Sequence, residues 1–169
     1  MKIKRSFFRY LAYALEIIIL FVLQNTPNLM PEIFGSKPLL LLPAAFAIAA
    51  FEDTVPAVVF GAVCGVLTDM GSGAIGYFGV MLTLLCFVQT ELFRKYFVTS
   101  LRTTLVFSFA GITLVVCLYF LFFRLLAGID SALYLFVHRY ISRVLYTFAF
   151  TVVLYFLNSF LKKNFASSR

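Results

Sequence analysis

The sequence predicts an all-α polytopic membrane protein with about six transmembrane helices, folded as a single integral membrane domain over residues 1–169. Hydrophobic residues make up 63% of the chain and charged residues only 12%, which leaves more apolar surface than a soluble domain of this length can bury. Uncharged stretches such as Leu105–Phe123 also reach the length of a bilayer crossing. Both observations argue against a soluble helical bundle.

Six apolar runs follow one another, separated by polar, glycine-containing or proline-containing segments. The first run follows a basic N-terminus, as in a signal peptide, but no small-x-small cleavage site follows, so we expect a retained span. The second run has 13 residues and covers about 20 Å, less than the ~30 Å hydrocarbon core, and the third run is similarly short. We expect the second and third runs either to cross a thinned region or to form a hairpin buried in protein, which leaves four spans. The runs are Tyr10–Leu23, Leu39–Phe51, Val55–Thr68, Ala74–Thr90, Leu105–Leu126 and Val144–Leu161.

Basic residues predict the orientation of the chain. With six crossings, ten lysines and arginines fall on the side of the termini and four on the other side. Because cytoplasmic segments are enriched in Lys and Arg, we expect a multi-pass chain with both termini in the cytoplasm. The net charge of +7 is interpreted as anchoring to anionic membrane lipids, since no nucleic-acid-binding motif accompanies it.

A small-residue motif in the third run indicates close helix packing. Gly61 and Gly65 are four residues apart, a spacing that lets two helix backbones approach closely in lipid. The motif predicts either ordinary packing against another helix of the chain or a groove that docks a partner's transmembrane helix. Further glycines follow at positions 71, 73, 76 and 79, where they permit tight turns and close approach.

Asp69 ends the third apolar run, where a carboxylate is costly. We expect it either to be hydrated at the outer interface or to act as a structural anchor. An anchoring carboxylate would accept hydrogen bonds from backbone N–H groups of the Gly71–Gly76 turn or pair with an arginine. Arg139 and Arg143 are the candidates, because they fall on the same predicted side and lie four residues apart.

Two other acidic positions have less specific interpretations. Glu16 lies inside the first run and is interpreted as a snorkelling or water-facing acid, with a proton or ion pathway as the alternative. Glu52 and Asp53 separate the second and third runs, and we expect a solvated cytoplasmic turn that is also able to meet a basic partner.

No catalytic or metal-binding constellation is visible in the sequence. His138 is the only histidine and has no cysteine or acidic ligands at metal-binding spacing. Cys64, Cys86 and Cys117 lie inside apolar runs and are interpreted as packing residues. The glycines carry no phosphate-loop motif. We therefore expect no enzyme activity, no cofactor and no metal.

Residues 38–90 resemble the MreD family of rod-shape-determining membrane proteins. The resemblance rests on the stretches PLLLLPAAFAIAAFED, GAVCGVLTD and GYFGVMLTL, together with the chain's size, basic N-terminus and final apolar span. The family's glycine-to-aspartate signature falls on Gly61, Gly65 and Asp69, and its following glycine falls on Gly76.

The resemblance implies a non-enzymatic scaffold in the bacterial cell membrane. Its expected partner is an MreC-like single-span protein, with the MreB filament, the glycosyltransferase RodA and a class B penicillin-binding protein as further associations in peptidoglycan elongation. The implied fold is similar to the six-helix substrate-binding component of energy-coupling-factor transporters. That similarity leaves a small-solute or vitamin-binding transporter component as the alternative, although few polar side chains lie within the runs. An intramembrane enzyme is a third, weaker alternative, because it would need paired polar groups that the runs lack.

Overall fold

The computed structural model describes residues 2–26, 37–73, 76–125 and 140–165, and all regular structure in these ranges is helical. The all-α prediction is therefore confirmed, and five of the described helices are long and apolar enough to cross a membrane. A π-helical turn, Leu121–Leu125, continues the fifth helix. The α-helices are α1 (Lys2–Asn25), α2 (Leu41–Phe51), α3 (Thr54–Ser72), α4 (Tyr77–Lys95), α5 (Leu101–Phe120) and α6 (Ile141–Phe165).

The short helix α2 forms the centre of the bundle. Ten of its eleven residues, Leu41–Ala50, are buried, and it contacts all five other α-helices. A helix that is apolar on every face suits either a protein interior or a membrane span. Its eleven residues cover about 16 Å, too little to cross a bilayer in contact with lipid. The second apolar run is therefore buried in protein.

The third apolar run belongs to a full-length helix. The prediction that this run is also short is wrong, because α3 has 19 residues and extends to Ser72, beyond the predicted end at Thr68. The polar residues after Thr68 continue the helix instead of ending it, since Gly73 is the first residue that leaves the helical conformation. A hairpin of two short helices is therefore not formed.

The N-terminal end of α2 is closed by side chains from two other helices. The N–H of Leu39 donates to Thr147 Oγ1 of α6 at 3.1 Å, and the N–H of Leu41 donates to Gln24 Oε1 of α1 at 3.3 Å. The first N–H groups of any helix lack partners within the helix, and an unpaired buried group is costly. These two bonds allow α2 to begin inside the bundle.

The C-terminal end of α2 is closed in the same way. Its last carbonyl groups accept hydrogen bonds from a threonine on α4, a threonine just before α5 and a lysine on α6, so four elements meet at this point. Ordered along the chain, the bonds are Thr90 Oγ1 to Ala49 at 3.4 Å, Thr99 Oγ1 to Ala50 at 3.2 Å, and Lys162 Nζ to Phe51. Side chains distant in sequence therefore take up the last carbonyl groups of α2.

These contacts also fix the relative directions of the helices. Gln24 near the end of α1 meets the start of α2, and Arg9 near the start of α1 meets Glu52 just after α2. Helix α2 therefore runs antiparallel to α1, and its two ends lie near opposite ends of α1. Because Lys162 reaches the same end of α2, the C-terminal part of α6 lies beside the N-terminal part of α1. Which side of a membrane this end faces stays a prediction.

A buried ion pair holds α1 against the turn after α2. Arg9 Nε lies 2.9 Å from Glu52 Oε1, and the Glu52 side chain is only 3% exposed. Tyr13 also donates its hydroxyl to Glu52 Oε1 at 3.1 Å. Burial raises the pKa of the Glu52 carboxyl, although Arg9 and Tyr13 act in the opposite direction. Asp53 is exposed, but the expected solvated turn is wrong for Glu52, which is buried against Arg9 and Tyr13.

We expect Arg9→Met to lower the free energy of unfolding in detergent by about 3–5 kcal/mol, because it leaves a buried carboxylate without its cation. The double variant Arg9→Met/Glu52→Gln should recover most of this loss, since it removes the charge and keeps an acceptor for Tyr13. Lys95→Met is the control: its pair with Glu91 is 3.5 Å long and exposed, so the expected change is below about 1 kcal/mol. A double variant no more stable than Arg9→Met would contradict the assignment.

Candidate functional site

The predicted site lies at the interface of α3 and α4, which pack closely along their lengths. A Cβ atom on Gly65 would lie 2.5 Å from the carbonyl oxygen of Phe78 and 2.6 Å from Cα of Gly79. A Cβ atom on Gly61 would lie 2.8 Å from Cys86 Sγ. The structure thus places Gly61 and Gly65 in packing within the chain, and α4 occupies the face that a partner helix would need.

Asp69 closes the N-terminal end of α4. Its Oδ1 accepts from the N–H of Phe78 at 2.9 Å, and its Oδ2 accepts from the N–H of Gly79 at 2.8 Å. Both amides belong to the first turn of α4, where N–H groups lack partners within the helix and the helix dipole favours a negative charge. Asp69 is 8% exposed, and its carboxylate caps α4 from the preceding helix.

Glycines give the connection between α3 and α4 its geometry. Gly73 follows α3 with φ of 71°, and its N–H donates to the carbonyl of Asp69 at 2.9 Å. Gly76 precedes α4 with φ of 75° and has no side chain with which to cap the helix. Asp69, which lies nine residues before Phe78 and ten before Gly79, supplies the missing cap. The N–H groups that donate to Asp69 lie just beyond the predicted Gly71–Gly76 turn, in the first turn of α4.

Of the two arginines expected to pair with Asp69, the structure describes only Arg143. Arg139 lies outside the described residues. Arg143 lies in α6, and its Nε donates to the carbonyl of Lys37 at 3.1 Å. With Gln24, Asn25 and Ser72 among its neighbours, Arg143 lines a polar pocket of about 190 Å³ at the end of the bundle that holds the turn after α3.

A second polar site, inside the bundle, joins α1 to α6. Glu16 is 6% exposed and Asn158 is fully buried, and Asn158 Nδ2 donates to Glu16 Oε1 at 3.0 Å. Glu16 Oε2 has no hydrogen-bond partner within the described part of the chain. The interpretation of Glu16 as a snorkelling or water-facing acid is wrong, because α6 packs over its side chain. Asn158 was not predicted from the sequence, although a side-chain amide inside the last apolar run indicates a buried polar contact.

The three cysteines are free thiols; Cys64 and Cys86 are buried and Cys117 is partly buried. No group of three potential metal-ligating side chains occurs in the ranges that the structure covers, and His138 lies outside them. The absence of a cofactor, a metal and enzyme activity stays a prediction.

Comparisons with protein-family models, with curated proteins and with solved structures find no match to the chain. The residues and their contacts are therefore the basis for assigning a function.

The two α3 glycines are expected to differ in their tolerance of a methyl group. Gly65→Ala should lower the free energy of unfolding in detergent by about 3 kcal/mol, because the new atom meets backbone of α4, which cannot move aside. Gly61→Ala should cost about 1 kcal/mol, since the Cys86 side chain it meets can rotate. Equal losses for the two variants would contradict the described packing of α3 on α4.

Removing the cap should weaken the start of α4. Asp69→Asn keeps one carbonyl acceptor and presents an N–H₂ group to the second amide, so we expect a loss of about 1–3 kcal/mol in the free energy of unfolding. The matched control is Asp53→Asn at the start of α3, where the exposed carboxylate makes no side-chain cap bond. Amide hydrogen exchange at Phe78 and Gly79 should accelerate in Asp69→Asn alone. Unchanged exchange there would rule out the cap.

Proposed function

We propose that this protein is a non-enzymatic membrane scaffold of the bacterial cell-wall elongation complex. In this role it docks an MreC-like single-span protein and links it to RodA, a class B penicillin-binding protein and the MreB filament. The bacterial cell membrane is its proposed location, with both termini in the cytoplasm. The five apolar helices of spanning length support a multi-pass protein.

The observation that carries the proposal is the hydrogen bonding of the Asp69 carboxylate to α4. The segment 38–90 that resembles MreD contains α2, α3 and most of α4. Within it, the Asp69 carboxylate on α3 accepts hydrogen bonds from two backbone amides of α4. A carboxylate bonded in this way holds two helices together and is poorly placed to exchange protons with a substrate. Gly65 contributes to the same contact, because its lack of a Cβ atom lets the α4 backbone approach α3 closely. A structural signature of this kind favours a scaffold over an enzyme.

Exposed cations support the proposed orientation. Arg94 and Lys95 at the end of α4, Arg102 at the start of α5 and Lys163 near the end of α6 are all exposed. Contacts of Thr99 and Lys162 with the last residues of α2 place these segments at the end of the bundle that holds Arg9. Such clustering is typical of a cytoplasmic face, where the MreB filament would be met.

A polar pocket favours the second candidate, a small-solute or vitamin-binding transporter component. The pocket contains Lys37, Arg143 and two side-chain amides, which suit an anionic or polar solute. Its volume of about 190 Å³ is below the roughly 300–1,000 Å³ of most small-molecule sites. Native mass spectrometry of the purified chain distinguishes the candidates: a stoichiometric small solute supports the transporter component, and its absence alongside a protein partner supports the scaffold.

The scaffold proposal predicts co-purification. The full chain, tagged and extracted from its own membranes in mild detergent, should retain a single-span protein with a large extracytoplasmic domain, and its depletion should produce rounded cells. Asp69→Ala should reduce retention because it removes the α4 cap, whereas the control Asp53→Ala should not. A chain that purifies alone, from cells whose shape survives its loss, would exclude the scaffold.

A further inference from the structure

An open apolar groove lies between α1 and α6. It has a volume of about 400 Å³, and its rim is formed by side chains that are exposed in the isolated chain, among them Leu15 at 58% and Leu157 at 43%. On α1, Leu11, Leu15 and Ile19 follow one another at intervals of four residues and therefore lie along one face. This spacing suits the side chains of a second helix laid along the groove.

Glu16 is the one ionisable residue among the side chains that line the groove. It lies at the centre of the apolar segment Phe7–Asn25, with nine residues on each side, which corresponds to about 14 Å of helix in either direction. Its Oε1 is held by Asn158, and its Oε2 has no partner within the described part of the chain. A buried carboxyl oxygen without a partner is costly in this position, and a donor would relieve that cost.

The depth of Glu16 identifies the kind of donor. Lipid acyl chains carry no hydrogen-bond donor, and lipid headgroups lie about 15 Å away at either surface of the hydrocarbon core. A side chain on a transmembrane helix reaches this depth, and polar side chains commonly join helices in lipid. The flexible Glu16 side chain has to rotate toward the groove for this contact, because Oε2 is enclosed in the isolated chain.

We propose that the α1–α6 groove docks a transmembrane helix of a partner protein that carries an amide or cationic side chain at mid-span, opposite Glu16. The inference rests on the proposed function, since the occupant is the span of the single-span partner. It assigns that partner to the groove and leaves the Gly61–Gly65 face to α4.

Site-specific photo-crosslinking in intact cells tests the groove in the full chain. A photoreactive residue at Leu15 or Leu157 should form an adduct with the single-span partner. The controls are Val59 and Val63 on α3, which are 54% and 43% exposed and so match the two groove positions in exposure. Adducts at the groove positions and not at the α3 positions are the expected result.

A variant of Glu16 tests the hydrogen bond. Glu16→Gln keeps an acceptor for Asn158 and replaces Oε2 by an N–H₂ group, so partner retention after detergent extraction should fall about 3- to 20-fold. Glu91→Gln on α4 is the control, because Glu91 does not line the groove, and it should leave retention unchanged.

The outcomes separate the inference from the proposed function. Adducts of Leu15 and Leu157 with lipid alone, or with a second copy of this chain, would overturn the docking of a partner helix in the groove. So would partner adducts that form equally well at Val59 and Val63 in a chain that retains its partner. Absence of a single-span partner from the purified wild-type chain would contradict the proposed function itself.

Discussion

The structure depends on enclosing a helix that is too short to cross a bilayer on its own. Ten of the eleven residues of α2 are buried in protein, and its backbone ends then need hydrogen-bond partners from other helices, because unpaired amides inside a membrane protein cost several kcal/mol each. Gln24 of α1, Thr90 of α4, Thr99 just before α5, and Thr147 and Lys162 of α6 supply these partners from four different segments. Closing α2 therefore positions α1, α4, α5 and α6 around it.

The same requirement explains the acidic residues within the bundle. Asp69 is stable in its place because two amides at the positive end of α4 take up its oxygens, and Glu52 is stable because Arg9 and Tyr13 contact it. Glu16 differs from both, since Asn158 contacts only one of its oxygens. Among the buried acids of the described ranges, the least completely paired one thus lies beside an open apolar groove on α1, which is why we assign a partner to that place.

Local sequence patterns predicted the helices, because length and uninterrupted hydrophobicity are what a bilayer crossing demands. They also offered an anchor as one of two interpretations of Asp69, whose amide donors follow within ten residues. The errors on Glu16 and Glu52 share one cause, which is contact between distant segments. Arg9 and Glu52 are 43 residues apart, and Glu16 and Asn158 are 142 residues apart. No local pattern indicates such pairings, so two buried acids were expected in water.

Labelling from the lipid phase tests the enclosure of α2 most directly. An apolar carbene precursor dissolved in the bilayer reacts with side chains that face acyl chains, and mass spectrometry locates the modified residues. The structure predicts strong labelling of exposed faces, such as Val59 on α3, and essentially none from Leu41 to Ala50. Labelling of α2 as strong as that of α3 would show that the short helix faces lipid and would contradict the account.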